Sequence, residues 1–501
     1  MKILLPTALL SAVILTGCGA GGIINPQPTS NIPIESTSTS ANPGTLEAFQ
    51  SAVNYTTDYL KNSVLEQICP KGTPADRCEI NKANLLSDFN FNLDQITNGY
   101  KVSAYTIQYN TPGVKNENRS VSGGVLIPQI DASQIKGIVL YYHGTRLSKY
   151  NVPSCYKYSQ AQLKYCLYNS SNDGETLGGV LASQGYIVVM PDYIGQGYDN
   201  VVLHPYVLYA KENATSGLNM LIATKALLTN LQIGNISNNL YITGYSEGGA
   251  YALWTSKLVQ DTSSNFLQNN NLNLKNTVGL SGAYDLVNAQ LPMETANLKV
   301  GDQFNIGDQA IAGIAKPLLT GYLLSSYGFY DLNQTYTSLM TNAFLACRTC
   351  LISGYNFTTP DLFTVHGNPE LTDANITLYL TTAAATTGYG NGNNSAKALI
   401  ADGLLENSQF VNSLTANSIN TWSGGTSPIS LVYLNKDSVV TNLNSINAYS
   451  QITNPSKAAI VVDTERYKYG NEIDQNVKPF DHAQSNIIEL IAALKQFNTT
   501  P

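Results

Sequence analysis

Residues 241–250 read Tyr-Ile-Thr-Gly-Tyr-Ser-Glu-Gly-Gly-Ala, a short apolar strand that runs through a Gly-x-Ser-x-Gly pentapeptide into a helix-forming stretch. The pentapeptide alone is a weak signal, but a strand before it and a helix after it are the context of a nucleophile elbow. There a serine stands on a turn so tight that its hydroxyl clears the backbone. Glycines two residues to either side remove side chains that would otherwise collide. Ser246 is thereby the candidate nucleophile, and the elbow restricts the chain to folds in which a central strand feeds directly into a helix.

The surrounding pattern agrees. Apolar strands are expected at 101–110, 121–128, 136–143 and 186–192, then helices near 174–184 and 215–231, and further strands at 239–243 and 277–284. Strands alternating with helices argue for an α/β fold with a mainly parallel sheet covered on both faces. Apolar residues from 45 to 65 recur at helical spacing, which predicts a helix ahead of the first strand. Strand signals stop after residue 284 and resume at 428–434 and 458–463, and an amphipathic helix is expected at 482–497. The stretch 285–425 therefore reads as a mainly helical cap inserted between a first core segment, 45–284, and a second, 426–501. Such an insertion would lie over the C-terminal edge of the sheet, where ligands bind in open α/β folds.

A serine hydroxyl needs a base to take its proton, and an imidazole base needs a carboxylate to fix its tautomer. In an elbow fold the acid and base follow the nucleophile, which leaves His366 and His482 of the four histidines. His366 falls inside the cap, whereas His482 opens the last helix, so His482 is the candidate base. Asp437, just past the strand at 428–434, is the candidate carboxylate. Asp463 and Glu465 compete from the end of the next strand, while Asp474 and Asp481 read as surface or capping residues. Asp192 and Asp285 read as loop-shaping. One oxyanion donor should be the backbone N–H of Glu247, immediately after the nucleophile. The second should come from His143-Gly144-Thr145, with the Thr145 N–H as candidate and His143 bracing the loop.

The chain ends and cysteines address location. Met1-Lys2 and the apolar run to Leu15 have the form of a secretory signal too short to span a bilayer. Leu15-Thr16-Gly17-Cys18 resembles the lipobox of bacterial lipoproteins. That resemblance implies cleavage of 1–17 and a lipid on Cys18, and Gly19 fits sorting to an outer membrane. Residues 18–44, rich in Ser, Thr, Pro and Asn, read as a flexible tether. Export makes disulfides the expectation for the six other cysteines, and their close spacing favours Cys69 with Cys78, Cys155 with Cys166, and Cys347 with Cys350. Cys347 to Cys350 is a lone C-x-x-C, so no metal is expected. A net charge of -7 argues against nucleic acid as a partner.

Three phrases together carry a family likeness: Pro191-Asp192-Tyr193-Ile194-Gly195-Gln196-Gly197, His204-Pro205-Tyr206, and Gly244-Tyr245-Ser246-Glu247-Gly248-Gly249. In order and spacing they resemble the secretory lipase family, the Candida antarctica lipase A-like branch of the α/β-hydrolases. The resemblance implies an α/β-hydrolase fold, a Ser-Asp-His triad at Ser246, Asp437 and His482, a helical cap shaping an acyl pocket, and an ester or lipid substrate with no cofactor. Relatives often carry Gln after the serine, where this chain has Glu247. His204 is then expected to be a structural anchor near the site. The same triad could serve acyl transfer or peptide hydrolysis, and a non-catalytic surface-binding lipoprotein is the alternative from another class.

Overall fold

The computed structural model describes residues 42–147, 151–154, 173–199, 202–333, 339, 395–470 and 477–499. Nine strands form one sheet: β1 (Leu46–Tyr55), β2 (Val102–Pro112), β3 (Asn118–Pro128), β4 (Gly137–Tyr142), β5 (Tyr186–Pro191), β6 (Asn239–Tyr245), β7 (Asn273–Leu280), β8 (Ile429–Leu434) and β9 (Lys457–Val462). Their spatial order is β1-β2-β3-β5-β4-β6-β7-β8-β9. The first three strands and the β3–β5 pair are antiparallel; every pair from β5 to β9 is parallel.

The parallel strands are near-continuous apolar runs because both of their faces are covered. Ile138, Leu140 and Tyr142 of β4 enter one core, and Val139 and Tyr141 between them enter the other. The principal helices are α1 (Thr57–Ile68), α2 (Ala75–Phe89), α3 (Ala210–Asn230), α4 (Glu247–Gln260), α5 (Gln309–Tyr330), α6 (Ser408–Asn417), α7 (Leu443–Gln451) and α8 (His482–Thr499). Leu60, Val64, Leu85, Ile487 and Ile491 of α1, α2 and α8 pack on one face of the sheet. Ala214, Leu221, Tyr251, Leu253 and Ala448 of α3, α4 and α7 pack on the other.

Two expectations are corrected. The helix expected over 45–65 is instead strand β1 followed by α1. Apolar residues there satisfy both a helical and an alternating spacing, and pairing along the β2 edge decides for the strand. The helix begins only after Thr56, whose hydroxyl accepts from the Tyr59 N–H at 3.2 Å. Cys69 and Cys78 are free thiols rather than a disulfide. Cys69 caps the end of α1 and Cys78 lies in the first turn of α2, so the two thiols meet through a hydrogen bond. Burial first, then that bond, pushes the Cys69 thiol up. Proximity is set by the fold, whereas closing the bridge is an oxidation set by the surroundings. Cys18, Cys155, Cys166, Cys347, Cys350, His366 and Asp474 lie outside the described residues.

Between the adjacent strands β7 and β8 the chain leaves the sheet. The described parts of 285–425 are helices and turns, including α5 and α6, and contribute no strand to the sheet. Leu318, Tyr322, Leu324, Leu399, Phe410 and Leu414 of this stretch join Leu203, Tyr206 and Leu208 in a separate apolar cluster. That cluster incorporates the loops that leave the C-terminal ends of the strands.

Candidate active site

Ser246 joins β6 to α4 with φ 58° and ψ −122°, a left-handed conformation that costs a non-glycine residue energy. Its N–H donates to the Leu280 carbonyl at 2.8 Å, which anchors the turn to β7. The flanking glycines are a packing necessity. A Cβ on Gly248 would stand 2.5 Å from the His143 carbonyl oxygen and closer still to that of Tyr142, and one on Gly244 would meet the Gly248 carbonyl. The pentapeptide therefore lets α4 start hard against the end of β4.

His482 Nε2 lies 2.8 Å from Ser246 Oγ, and His482 Nδ1 lies 2.7 Å from Asp437 Oδ2. The structure thus brings together three residues separated by up to 236 positions in sequence. Asp437 sits on the loop after β8, and its other oxygen accepts the Val439 and Val440 N–H groups at 2.9 and 2.8 Å. Those bonds leave Oδ2 aimed at the imidazole. An ionised carboxylate only accepts, so Nδ1 carries the proton and Nε2 presents a lone pair to the serine. The ring is held from behind by Tyr245, which stacks on it at 4.9 Å and donates its hydroxyl to the His482 carbonyl.

Asp481 is buried beneath this line and is neither surface nor a simple cap. It accepts the Ser438 N–H at 2.9 Å, the Ser438 hydroxyl at 2.5 Å and the His482 N–H at 2.7 Å. It therefore ties the Asp437 loop to the start of α8. Burial, and then the nearby Asp437 charge, push its carboxyl up to about 7. Asp463 and Glu465 lie elsewhere: Asp463 takes up the Glu465 N–H and the Asn435 amide, and Glu465 pairs with Lys436 at 3.0 Å. Asp192 accepts the hydroxyls of Ser122 and Ser154, and Asp285 accepts from Asn288 and Asn447, so both shape loops.

The 143–145 loop passes beside the elbow, with a Cβ on Gly144 placed 3.6 Å from that of Ser246. His143 is fully buried, with Nδ1 2.7 Å from the Gly144 carbonyl and the ring stacked on Tyr193 at 4.0 Å. Burial and the Arg146 charge lower it to about 3, so it stays neutral and braces the loop. Thr145 is half-buried and its hydroxyl reaches toward the Tyr206 hydroxyl at 3.5 Å. Glu247 opens α4, where first-turn amides have no partner inside the helix. Its side chain turns away: Oε1 lies 2.6 Å from the Tyr251 hydroxyl and 2.7 Å from His204 Nε2. His204 Nδ1 in turn lies 2.9 Å from the Ile194 carbonyl.

No family model matches this sequence, and no curated protein does. Solved structures match its architecture. LipA, a rice cell wall degrading esterase from Xanthomonas oryzae, is 18% identical, with 92% of this chain and 100% of that chain covered at a TM-score of 0.62. A provisionally assigned hydrolase from Legionella pneumophila is 19% identical over 91% of this chain and 98% of its own, at a TM-score of 0.59. Candida antarctica lipase A is 14% identical over 84% and 76%, at a TM-score of 0.50. The chain has the α/β-hydrolase fold. At these identities the likeness is one of fold, and it is the fold that the sequence resemblance implied.

In α/β-hydrolases a ligand reaches the serine from above the C-terminal ends of the strands. Here a cavity occupies that place, lined by Ser246 and Glu247 and roofed by Leu291, Leu319, Leu323 and Phe410 of the inserted stretch. Among the lining residues not singled out from the sequence, the one ionisable group is Glu294, which is buried in this apolar setting. The support from Asp481, Tyr245 and Tyr251 was not singled out either. Each lies next to a residue of the elbow or of the His482 turn, or one helical turn beyond it. That adjacency is the available signal, but a carboxylate or tyrosine at such a position is common on any surface helix.

Proposed function

We propose that this chain is a serine hydrolase of carboxylic esters, with Ser246 as nucleophile, His482 as base and acid, and Asp437 as the carboxylate that orients it. The observation that carries this reading is the unbroken Ser246–His482–Asp437 hydrogen-bond line opening onto an apolar cavity. The names of the Xanthomonas esterase and the Candida lipase with the same fold fit it.

As Ser246 Oγ attacks the acyl carbon, His482 Nε2 takes its proton and the carbonyl electron pair moves onto oxygen. The Glu247 N–H, and the Thr145 N–H from the neighbouring loop, receive that oxyanion; each such donor is worth about 10²–10³ in rate. Collapse of the intermediate expels the alcohol, which takes the proton from His482 and leaves the acyl group on Ser246. Water, deprotonated by the same imidazole, then releases the acid and restores the serine. We place the enzyme outside the cell, tethered to the bacterial envelope through a lipid on Cys18, with 285–425 as its cap.

A fluorophosphonate probe applied to the full chain should label the wild type and not Ser246→Ala. Absence of label from the wild type, together with no alcohol release from p-nitrophenyl esters, would refute the reading. Incorporation of labelled palmitate in a bacterial host, abolished in Cys18→Ser, tests the anchor.

A further inference from the structure

The cavity above Ser246 is not a plain hydrocarbon slot. Among leucines and Phe410 its wall carries Glu294, flanked by Gln290 and Thr320. Glu294 lies in the short helix Leu291–Thr295 and is 7% exposed. Its Oε1 accepts from the Gln290 amide at 2.8 Å, but among the described residues its Oε2 meets only the Thr320 hydroxyl at 3.5 Å, the limit of a hydrogen bond. A carboxylate offers about four acceptor positions, so most of this one's capacity is unused. Lys316 is near enough to attract it electrostatically, yet its ammonium is committed to the Ala296 carbonyl at 2.8 Å. The consequence is a desolvated carboxyl, which burial pushes up to about 7.

A saturated acyl chain filling this space would strip the last water from Glu294 and offer no hydrogen bond in exchange, which is unfavourable. The other carboxylate on the cavity wall, Glu247, also has an Oε2 with no hydrogen-bond partner among the described residues, but its Oε1 lies within 2.7 Å of both Tyr251 and His204, where the Oε1 of Glu294 meets Gln290. What suits Glu294 is an uncharged donor. A second cation beside Lys316 in an apolar cavity would be repelled and poorly solvated, whereas a hydroxyl meets neither penalty.

We propose that Glu294 is a specificity-determining residue and that the acyl group taken into this cavity carries a hydroxyl along its chain, which donates to the Glu294 carboxyl. This rests on the assignment of Ser246 as an ester-cleaving nucleophile. Loss of a hydrogen bond to such a group is worth about 10–100-fold in kcat/KM.

The test compares p-nitrophenyl octanoate with its 3-hydroxy, 6-hydroxy and 8-hydroxy analogues on the full-length protein. The wild type should prefer at least one hydroxylated ester over octanoate by about 10-fold or more. In Glu294→Leu that ratio should fall to one or below, and in Glu294→Gln, which keeps an acceptor oxygen, it should be partly retained. Thermal melting checks that the variants fold, and the wild-type ratio stands as a test even where Glu294→Leu does not. Hydrolysis of all four esters without preference, or a preference that survives Glu294→Leu, overturns the proposal alone. No hydrolysis of any ester and no fluorophosphonate label overturns it together with the nucleophile assignment.

Discussion

Two buried histidines in this protein each meet a carboxylate at 2.7 Å: His482 with Asp437, and His204 with Glu247. The carboxylates differ by one methylene and the distances are the same, yet the pairs face different third partners. His482 turns its remaining nitrogen to the Ser246 hydroxyl, which has a proton to give. His204 turns its remaining nitrogen to the Ile194 carbonyl, which can only accept, so that nitrogen is held permanently as a donor. The first pair can shuttle a proton; the second can only fasten the 194–204 loop to the first turn of α4. A histidine–carboxylate pair is thus defined by what its far side touches.

The sharpest way to break this comparison is to remove each imidazole. His482→Ala should lower kcat per folded molecule for ester hydrolysis by about 10⁴–10⁶-fold, while also stranding the buried Asp437 carboxylate. His204→Ala should likewise cost about 3–5 kcal/mol of stability by stranding Glu247, but leave kcat per folded molecule within about 10-fold of wild type. Similar kinetic losses in both would mean that the two pairs are not distinct in kind.

Neutralising the carboxylates gives a smaller contrast. Asp437→Asn removes the acceptor that fixes the His482 tautomer and should lower kcat by about 10⁴-fold. Glu247→Gln keeps an oxygen for the Tyr251 hydroxyl and should cost less than about 10-fold, since the backbone N–H beside Ser246 is untouched. Steady-state kinetics on one p-nitrophenyl ester separate the two; a drop of 10³-fold or more in Glu247→Gln would give that side chain a role in the chemistry.

The smallest effect concerns Asp481, which underlies only the first pair. Its carboxyl is raised to about 7 from an ordinary 3.8, so the folded protein holds this proton where the unfolded chain has lost it. Its contribution to stability is complete below about pH 4 and disappears as pH rises toward 7. Asp481→Asn should flatten that part of the melting-temperature profile between pH 4 and 7, leaving the slope due to other buried carboxyls raised in the same direction, Glu294 and Glu489 foremost. An unaltered profile would show that Asp481 is ionised in the fold throughout.

The parts of the site that were legible in sequence are those governed by local rules. The Gly-Tyr-Ser-Glu-Gly turn is dictated by steric contacts with Tyr142 and His143, and strand β8 and helix α8 are marked by their apolar patterns, so Ser246, Asp437 and His482 could be named from position and order. Segment 46–55 failed for the complementary reason. Its apolar residues allow two periods, and the deciding term is pairing with β2, tens of residues away.

By itself, then, the sequence determined the alternation of strands and helices, the strained elbow and the order of its candidate partners, because these depend on backbone sterics and short-range periodicity. Only the tertiary structure decided that His204 pairs with Glu247, that Asp481 lies buried behind the Ser246–His482–Asp437 line, and that Glu294 looks into an apolar cavity. Burial, third partners and desolvation are properties of residues brought together from far apart, and no stretch of chain carries them alone.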